Sequence, residues 1–228
     1  MLSTSKSLNL VALLLGVPFT SIGAIMLLWV APGIVGKTIL VCCQIWLIIL
    51  PIIWLFKVEN KPIRIPRPQR FDWITGMIIG LVMFMAILIM YWLFLRYWID
   101  VNFVREKLEQ VGNINQQAFI FGGAYFILIN ALIEEYFWRW FIYSRWEELV
   151  SDKFAVLLSA LSFTLHHAIG LAAFVDWRVV TVASLAVFVA GAVWSEYYRR
   201  YRLIWCNYFS HAIADLALYI VAWQVFFG

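Results

Sequence analysis

Apolar runs of about twenty residues recur along the whole of this 228-residue sequence. A run of that length crosses the hydrocarbon core of a bilayer as an α-helix, which satisfies its own backbone hydrogen bonds where lipid offers none. The short alternating segments of a membrane β-barrel do not occur. Hydrophobic residues make up 64% of the chain and charged residues only 13%, which excludes a soluble domain. The sequence therefore predicts an all-α, polytopic membrane protein.

We predict seven membrane-spanning helices, or eight if one end of the chain re-enters the bilayer. The first apolar run resembles a signal peptide at its start, but it continues to Val30 and is longer than a signal sequence requires, so a retained span is expected. Trp and Tyr residues at many span ends suit the membrane interface. The predicted spans are Leu8–Val30, Ile34–Phe56, Trp73–Trp98, Phe119–Tyr143, Phe154–Phe174, Val179–Tyr197 and Leu203–Phe227.

The segment 57–70 (KVENKPIRIPRPQR) is the clearest linker, because its prolines oppose a regular helix and its basic residues favour the cytoplasmic membrane surface. It divides the chain into two spans with their basic linker (1–72) and a membrane-embedded helical core (73–228). Lys and Arg are concentrated in loops on the side of this linker, which predicts a cytoplasmic N-terminus. We therefore interpret the net charge of +4 as membrane topology and expect no nucleic-acid partner.

A second short segment, Val101–Val111, places apolar residues at helical spacing among charged ones. This pattern predicts an amphipathic helix on the outer membrane surface. The three cysteines lie in or beside apolar runs, with no metal-binding or disulfide spacing. We interpret them as packing residues.

Two adjacent carboxylates and an arginine interrupt the fourth span, in the stretch 130–140 (NALIEEYFWRW). Each charged group at membrane depth costs about 2.5–3.5 kcal/mol on insertion scales, and such groups usually serve function. Glu135 and Arg139 are four residues apart on one helix face, which predicts a buried ion pair. Glu134 is rotated by about 100° from Glu135, shares its face with Asn130, and is free to face a cavity.

The fifth span carries a polar island at 163–167 (FTLHH). A single histidine in an apolar helix is more often a hydrogen-bonded packing residue than a ligand. Because His166 and His167 are neighbours, they face different ways, and we expect at most one of them to meet Glu134.

The seventh span carries Asn207, His211 and Asp215 at intervals of four residues, so they share one helix face. This spacing places Asp215 to orient or polarise His211, and Asn207 could donate a hydrogen bond to either of them. Three polar islands on three spans are expected to converge, since mutual contact is the cheapest way to hold them inside a membrane.

The ordered set of motifs resembles the CPBP intramembrane proteases, also called the Abi or CAAX protease family. The resemblance covers residues 119–227 and implies an endopeptidase that acts on a membrane-associated protein or peptide, in a multi-pass protein of a bacterial-type inner membrane. It rests on three motifs, each on its own span: Glu134-Glu135-x-x-x-Arg139, Phe163-x-x-x-His167 and His211-x-x-x-Asp215.

The resemblance implies that Glu134 activates a water molecule and that His167 and His211 position this water or bind a metal. Asp215 stands where the family carries Asn or Asp, and is expected to orient His211 or to serve as a further metal ligand. Two histidines and two carboxylates suit a zinc ion as well as a metal-free water, so both mechanisms stay open. We interpret the remaining polar or motif side chains as supporting residues: Glu135, Arg139, Phe163, His166 and Asn207.

Two other functions remain open at this point. The protein could be a membrane scaffold, immunity factor or regulatory partner whose polar cluster is inherited structure. It could also be a transporter or redox protein that uses His167 and His211 as ion or haem ligands. The transporter or redox hypothesis leaves the adjacent carboxylates and Arg139 unexplained.

Overall fold

The fold is described by a computed structural model that covers residues 4–60, 62, 66–112 and 115–228. Every regular element in these residues is helical, and seven helices are long and apolar enough to cross a membrane. This confirms the predicted all-α class and the count of seven spans. The helices are α1 (Lys6–Val30), α2 (Ile34–Val58), α3 (Arg70–Tyr97), α4 (Val101–Val111), α5 (Gln116–Glu147), α6 (Asp152–Ala172), α7 (Trp177–Tyr201) and α8 (Trp205–Phe227).

Helix α4 is the predicted amphipathic segment, with the bounds predicted from the sequence. Asp100 caps its N-terminus, where Oδ1 accepts hydrogen bonds from the backbone N–H groups of Asn102 and Phe103 at 3.0 and 3.1 Å. On its apolar face, Val104 is buried with Tyr91 of α3 and Val225 of α8. The short helix therefore closes one end of the bundle.

The linker between α2 and α3 is non-helical where the structure describes it, as the prolines predicted. Lys61 and Arg64, two of its basic residues, lie outside the described residues. Helix α3 begins at Arg70, earlier than the predicted Trp73, because Gln69 and Asp72 form a reciprocal capping box. The backbone N–H of Gln69 donates to Asp72 Oδ2 at 2.8 Å.

The first two helices pack against α5 in one continuous apolar core. Ala12 of α1 and Leu50 of α2 are buried in the same cluster as Phe137 of α5. The cluster continues through Phe163 of α6 to Trp194 of α7. These contacts hold α5, which carries both adjacent carboxylates, at the centre of the bundle.

The backbone of α5 is not α-helical along its whole length, although the predicted span assumes a regular α-helix. It contains two π-helical stretches, Phe126–Asn130 and Glu135–Tyr143, in which hydrogen bonds reach five residues back. Seven of the nine residues in the second stretch are buried. The wider turns thus allow one helix to bury an aromatic core and an ionic group together, and such stretches are frequent at functional sites.

Two glycines set the close approach of α3 to α8. A Cβ atom added at Gly76 would lie 2.7 Å from the carbonyl oxygen of Cys206, and one at Gly80 would lie 2.8 Å from Ile213 Cβ. A side chain at either position would therefore force the two helices apart. In contrast, a Cβ added at Gly122 on α5 meets nothing within 4 Å.

We expect Gly76→Ala to lower the free energy of unfolding by about 1–3 kcal/mol, because the new methyl group overpacks a contact with backbone. Gly122→Ala is the matched control and should be neutral or slightly stabilising, since Ala favours a helix more than Gly does. Thermal unfolding of both variants in the same detergent measures the difference. Equal stabilities would contradict the packing argument.

Candidate active site

Glu134 is the last residue of the short α-helical segment Ala131–Glu134, which separates the two π-helical stretches of α5. Its Oε1 atom accepts a hydrogen bond from Asn130 Nδ2 at 3.1 Å, so the face shared by these two residues is the predicted one. The side chain is 13% exposed, whereas that of Glu135 is completely buried. Glu134 is therefore the more accessible carboxylate of the pair.

The predicted ion pair between Glu135 and Arg139 is present. Glu135 Oε2 lies 3.3 Å from Arg139 Nε, and both side chains are fully buried. The guanidinium carbon also lies 4.5 Å from the ring centroid of Phe163 and 5.1 Å from that of Trp194, which are cation–π distances. Two aromatic rings and one carboxylate thus hold the buried positive charge.

Glu135 has a second contact that the sequence did not predict. Its Oε1 atom accepts a hydrogen bond from His211 Nδ1 at 2.8 Å. Because a carboxylate can only accept, Nδ1 is the donor, and His211 Nε2 faces Glu134 Oε2 and Asp215 Oδ1, each at 3.6 Å. Asp215 thus lies within ion-pair distance of His211, as the spacing predicts, while Glu135, on another helix, accepts the shorter hydrogen bond that orients the ring.

Asn207 takes no part in these contacts. It is fully buried, and its Nδ2 atom donates to the backbone carbonyl of Trp194 at 2.8 Å. The predicted hydrogen bond to His211 or Asp215 is therefore wrong. The amide turns towards α7 and ties α8 to it instead.

Both neighbouring histidines of α6 approach Glu134, although at most one was expected to do so. One ligand atom from each of Glu134, His166 and His167 lies within 4.8 Å of the other two. The imidazole rings converge, with centroids 4.0 Å apart, because a flexible side chain can offset the rotation between adjacent helix positions. His166 Nε2 itself lies 3.8 Å from Glu134 Oε1.

Each of these two rings has its own support. His167 Nδ1 lies 3.0 Å from the backbone carbonyl oxygen of Phe163, one turn earlier on α6, which leaves Nε2 available to the site. The ring of His166 stacks on Trp138 of α5, with centroids 5.2 Å apart and planes 5° apart. Phe163, a residue of the predicted motif, therefore supports both Arg139 and His167.

The structure brings together the four predicted reactive side chains, which are Glu134, His167, His211 and Asp215. Glu134 lies between the two histidines of α6 on one side and His211 of α8 on the other. Sequence reasoning missed Trp194 of α7, which stacks on His211 with ring centroids 4.4 Å apart. An uncharged aromatic residue in an apolar span gives no sequence signal for such a role.

The comparison with protein families identifies this region. A family model described as type II CAAX prenyl endopeptidase Rce1-like matches residues 116–217. This segment is therefore similar to the Rce1-like endopeptidases. It runs from the start of α5 into α8 and contains the whole cluster described above. The resemblance to the CPBP and CAAX proteases is thereby confirmed for this part of the chain. No curated protein and no solved structure matches the chain significantly.

The family match and the apolar helices together give a coarse description of the protein. The matched family is described as CAAX prenyl endopeptidases, and the seven apolar helices make the chain an integral, multi-pass membrane protein. Within the matched segment, four helices supply the site or its walls. Glu134 comes from α5, His167 from α6, Trp194 from α7 and His211 from α8.

Proposed function

We propose that the chain is an intramembrane endopeptidase that uses Glu134 as a general base towards a membrane-associated protein or peptide. The observation that supports this is the position of Glu134, a partly exposed carboxylate among three imidazole rings. Glu135, by contrast, already contacts both Arg139 and His211. Glu134 is thus the carboxylate of the pair that can exchange a proton with water.

In the proposed reaction, Glu134 takes a proton from a water molecule that His167 Nε2 helps to position. The water oxygen attacks the carbonyl carbon of the scissile peptide bond and forms a tetrahedral intermediate. His211 Nε2, held towards Glu134 and Asp215, donates a hydrogen bond to the developing oxyanion. The carbon–nitrogen bond then breaks, and Glu134 returns the proton to the leaving amine.

The experiment that tests this function uses the purified protein in liposomes with a library of membrane-tethered peptides. Mass spectrometry in water enriched in ¹⁸O should show new C-termini that carry the heavy isotope, which is the mark of hydrolysis. Glu134→Gln protein serves as the inactive comparison. If no peptide in the library is cleaved faster by the wild-type protein than by this variant, the proposal fails and a non-catalytic role in the membrane gains support.

We also propose that the N-terminus is cytoplasmic and that the protein resides in a bacterial-type inner membrane. The basis is the excess of Lys and Arg in the loops on the N-terminal side. We expect alkaline phosphatase fused after Trp98 to be active and the same enzyme fused after Ser151 to be inactive. The reverse pattern of activities would contradict a cytoplasmic N-terminus.

A further inference from the structure

His166 is the residue of the site that the proposed reaction leaves without a role. Its ring stacks on Trp138, Nε2 points towards Glu134, and Nδ1 is buried without a hydrogen-bond partner among the described residues. The free Nε2 therefore faces a carboxylate and a second histidine, which are the residue types of a metal-ligand set.

The charges of the cluster also favour a bound cation. Among its described residues, Glu134, Glu135 and Asp215 supply three carboxylates, and Arg139 supplies one guanidinium. His211 carries a proton on both ring nitrogens in the proposed reaction, so three carboxylates face two positive charges and one negative charge remains uncompensated in a buried site. Buried charges are stable when they are paired or bind a metal, and a cation bound at Glu134 would compensate it.

The geometry favours three side chains of the cluster as metal ligands. One donor atom from each of Glu134, His166 and His167 lies within 4.8 Å of the others, while neighbouring ligand atoms of tetrahedral zinc lie about 3.4 Å apart at zinc–nitrogen distances near 2.1 Å. Small side-chain rotations close the difference. His167 also has the support that metal-binding histidines usually have, since its second ring nitrogen lies at hydrogen-bonding distance from a backbone carbonyl.

His211 is a poorer ligand than His166 for the same ion. Its Nδ1 atom is committed to Glu135 at 2.8 Å, and its Nε2 atom is shared between two carboxylates. We infer that Glu134, His166 and His167 form a binding site for one divalent ion of the zinc class. An ion bound there occupies the Glu134 carboxylate, which the proposed reaction needs as a base, and therefore inhibits hydrolysis. The inhibitory consequence rests on the proposed function, whereas the binding site does not.

The test titrates Co²⁺ or Zn²⁺ into chelator-treated protein that carries no polyhistidine tag. The wild-type protein should bind one ion, with the visible absorption of tetrahedral Co²⁺. His166→Phe keeps a ring against Trp138 but removes the ligand nitrogen, so we expect at least a 100-fold loss of affinity, on the scale of changes around metal sites. His211→Ala is the matched control and should keep affinity within about tenfold of wild type.

A wild-type protein that binds no ion, or a His166→Phe variant that binds as tightly as wild type, would overturn the site. Cleavage that rises when stoichiometric Zn²⁺ is added would overturn the inhibitory role. The two proposals fail separately. Cleavage without any metal binding leaves the proposed function standing, whereas metal binding in a protein that cleaves nothing leaves only the ion site.

Discussion

Replacing Glu134 by Gln is expected to lower the rate of peptide hydrolysis by about 10²- to 10⁴-fold, the usual contribution of a general base. The amide keeps the length of the side chain and can still accept a hydrogen bond from Asn130, which donates to Glu134 Oε1 at 3.1 Å. It cannot take a proton from water at neutral pH. The loss should therefore fall on the chemical step and leave the fold intact.

The measurement is the cleavage rate at saturating peptide, with thermal unfolding of the same samples as a check on folding. Glu148→Gln is the matched control, because this carboxylate is exposed beyond the end of α5, and its rate should stay within about twofold of wild type. A Glu134→Gln rate within tenfold of wild type would rule out Glu134 as the base.

Arg139→Met is expected to lower the free energy of unfolding by about 3–5 kcal/mol, the cost of breaking a buried ion pair by removing one partner. Glu135 would keep its charge in a site from which solvent is excluded. The variant would also lose the contacts of the guanidinium with the rings of Phe163 and Trp194. Because Glu135 orients His211, we expect cleavage to fall as well.

Reversible unfolding in mixed detergent measures this change. The control is Arg200→Met, which removes a guanidinium that is 61% exposed and paired with Glu196, and which should cost at most about 1 kcal/mol. The double variant Glu135→Gln/Arg139→Met should recover part of the lost stability, since it leaves no unpaired charge. An Arg139→Met protein as stable as the Arg200→Met protein would mean that the pair does not stabilise the fold.

The helices themselves were largely predictable because their signals are local. A run of apolar residues marks a span whatever its neighbours are, and each predicted span matches an observed helix to within a few residues. Helix ends depend on side chains one turn away, so the capping box of Gln69 and Asp72 shifted the start of α3. The π-helical stretch Glu135–Tyr143 was not predictable from the spacing of apolar and polar residues, because the same pattern is compatible with a regular α-helix.

The residue types of the candidate site were also predictable from the sequence, but most of the contacts among them were not. Glu135 and Arg139 belong to one helix, and their ion pair followed from their separation of four residues. Contacts between helices were predicted less well: Asn207 bonds to α7 rather than to its neighbours on α8. The sequence predicts His166 as a supporting residue, and the structure places its Nε2 atom 3.8 Å from Glu134 Oε1.

The sequence by itself determined that this is a helical membrane protein with carboxylates and histidines on three of its spans. Hydrophobic length and residue type suffice for that, because both act within one helix. Only the tertiary structure decided that Glu135 holds His211, that Glu134 lies between His211 and the two histidines of α6, and that Trp194 backs the site. Those contacts depend on the depth and rotation of each helix, which the packing of the whole bundle sets.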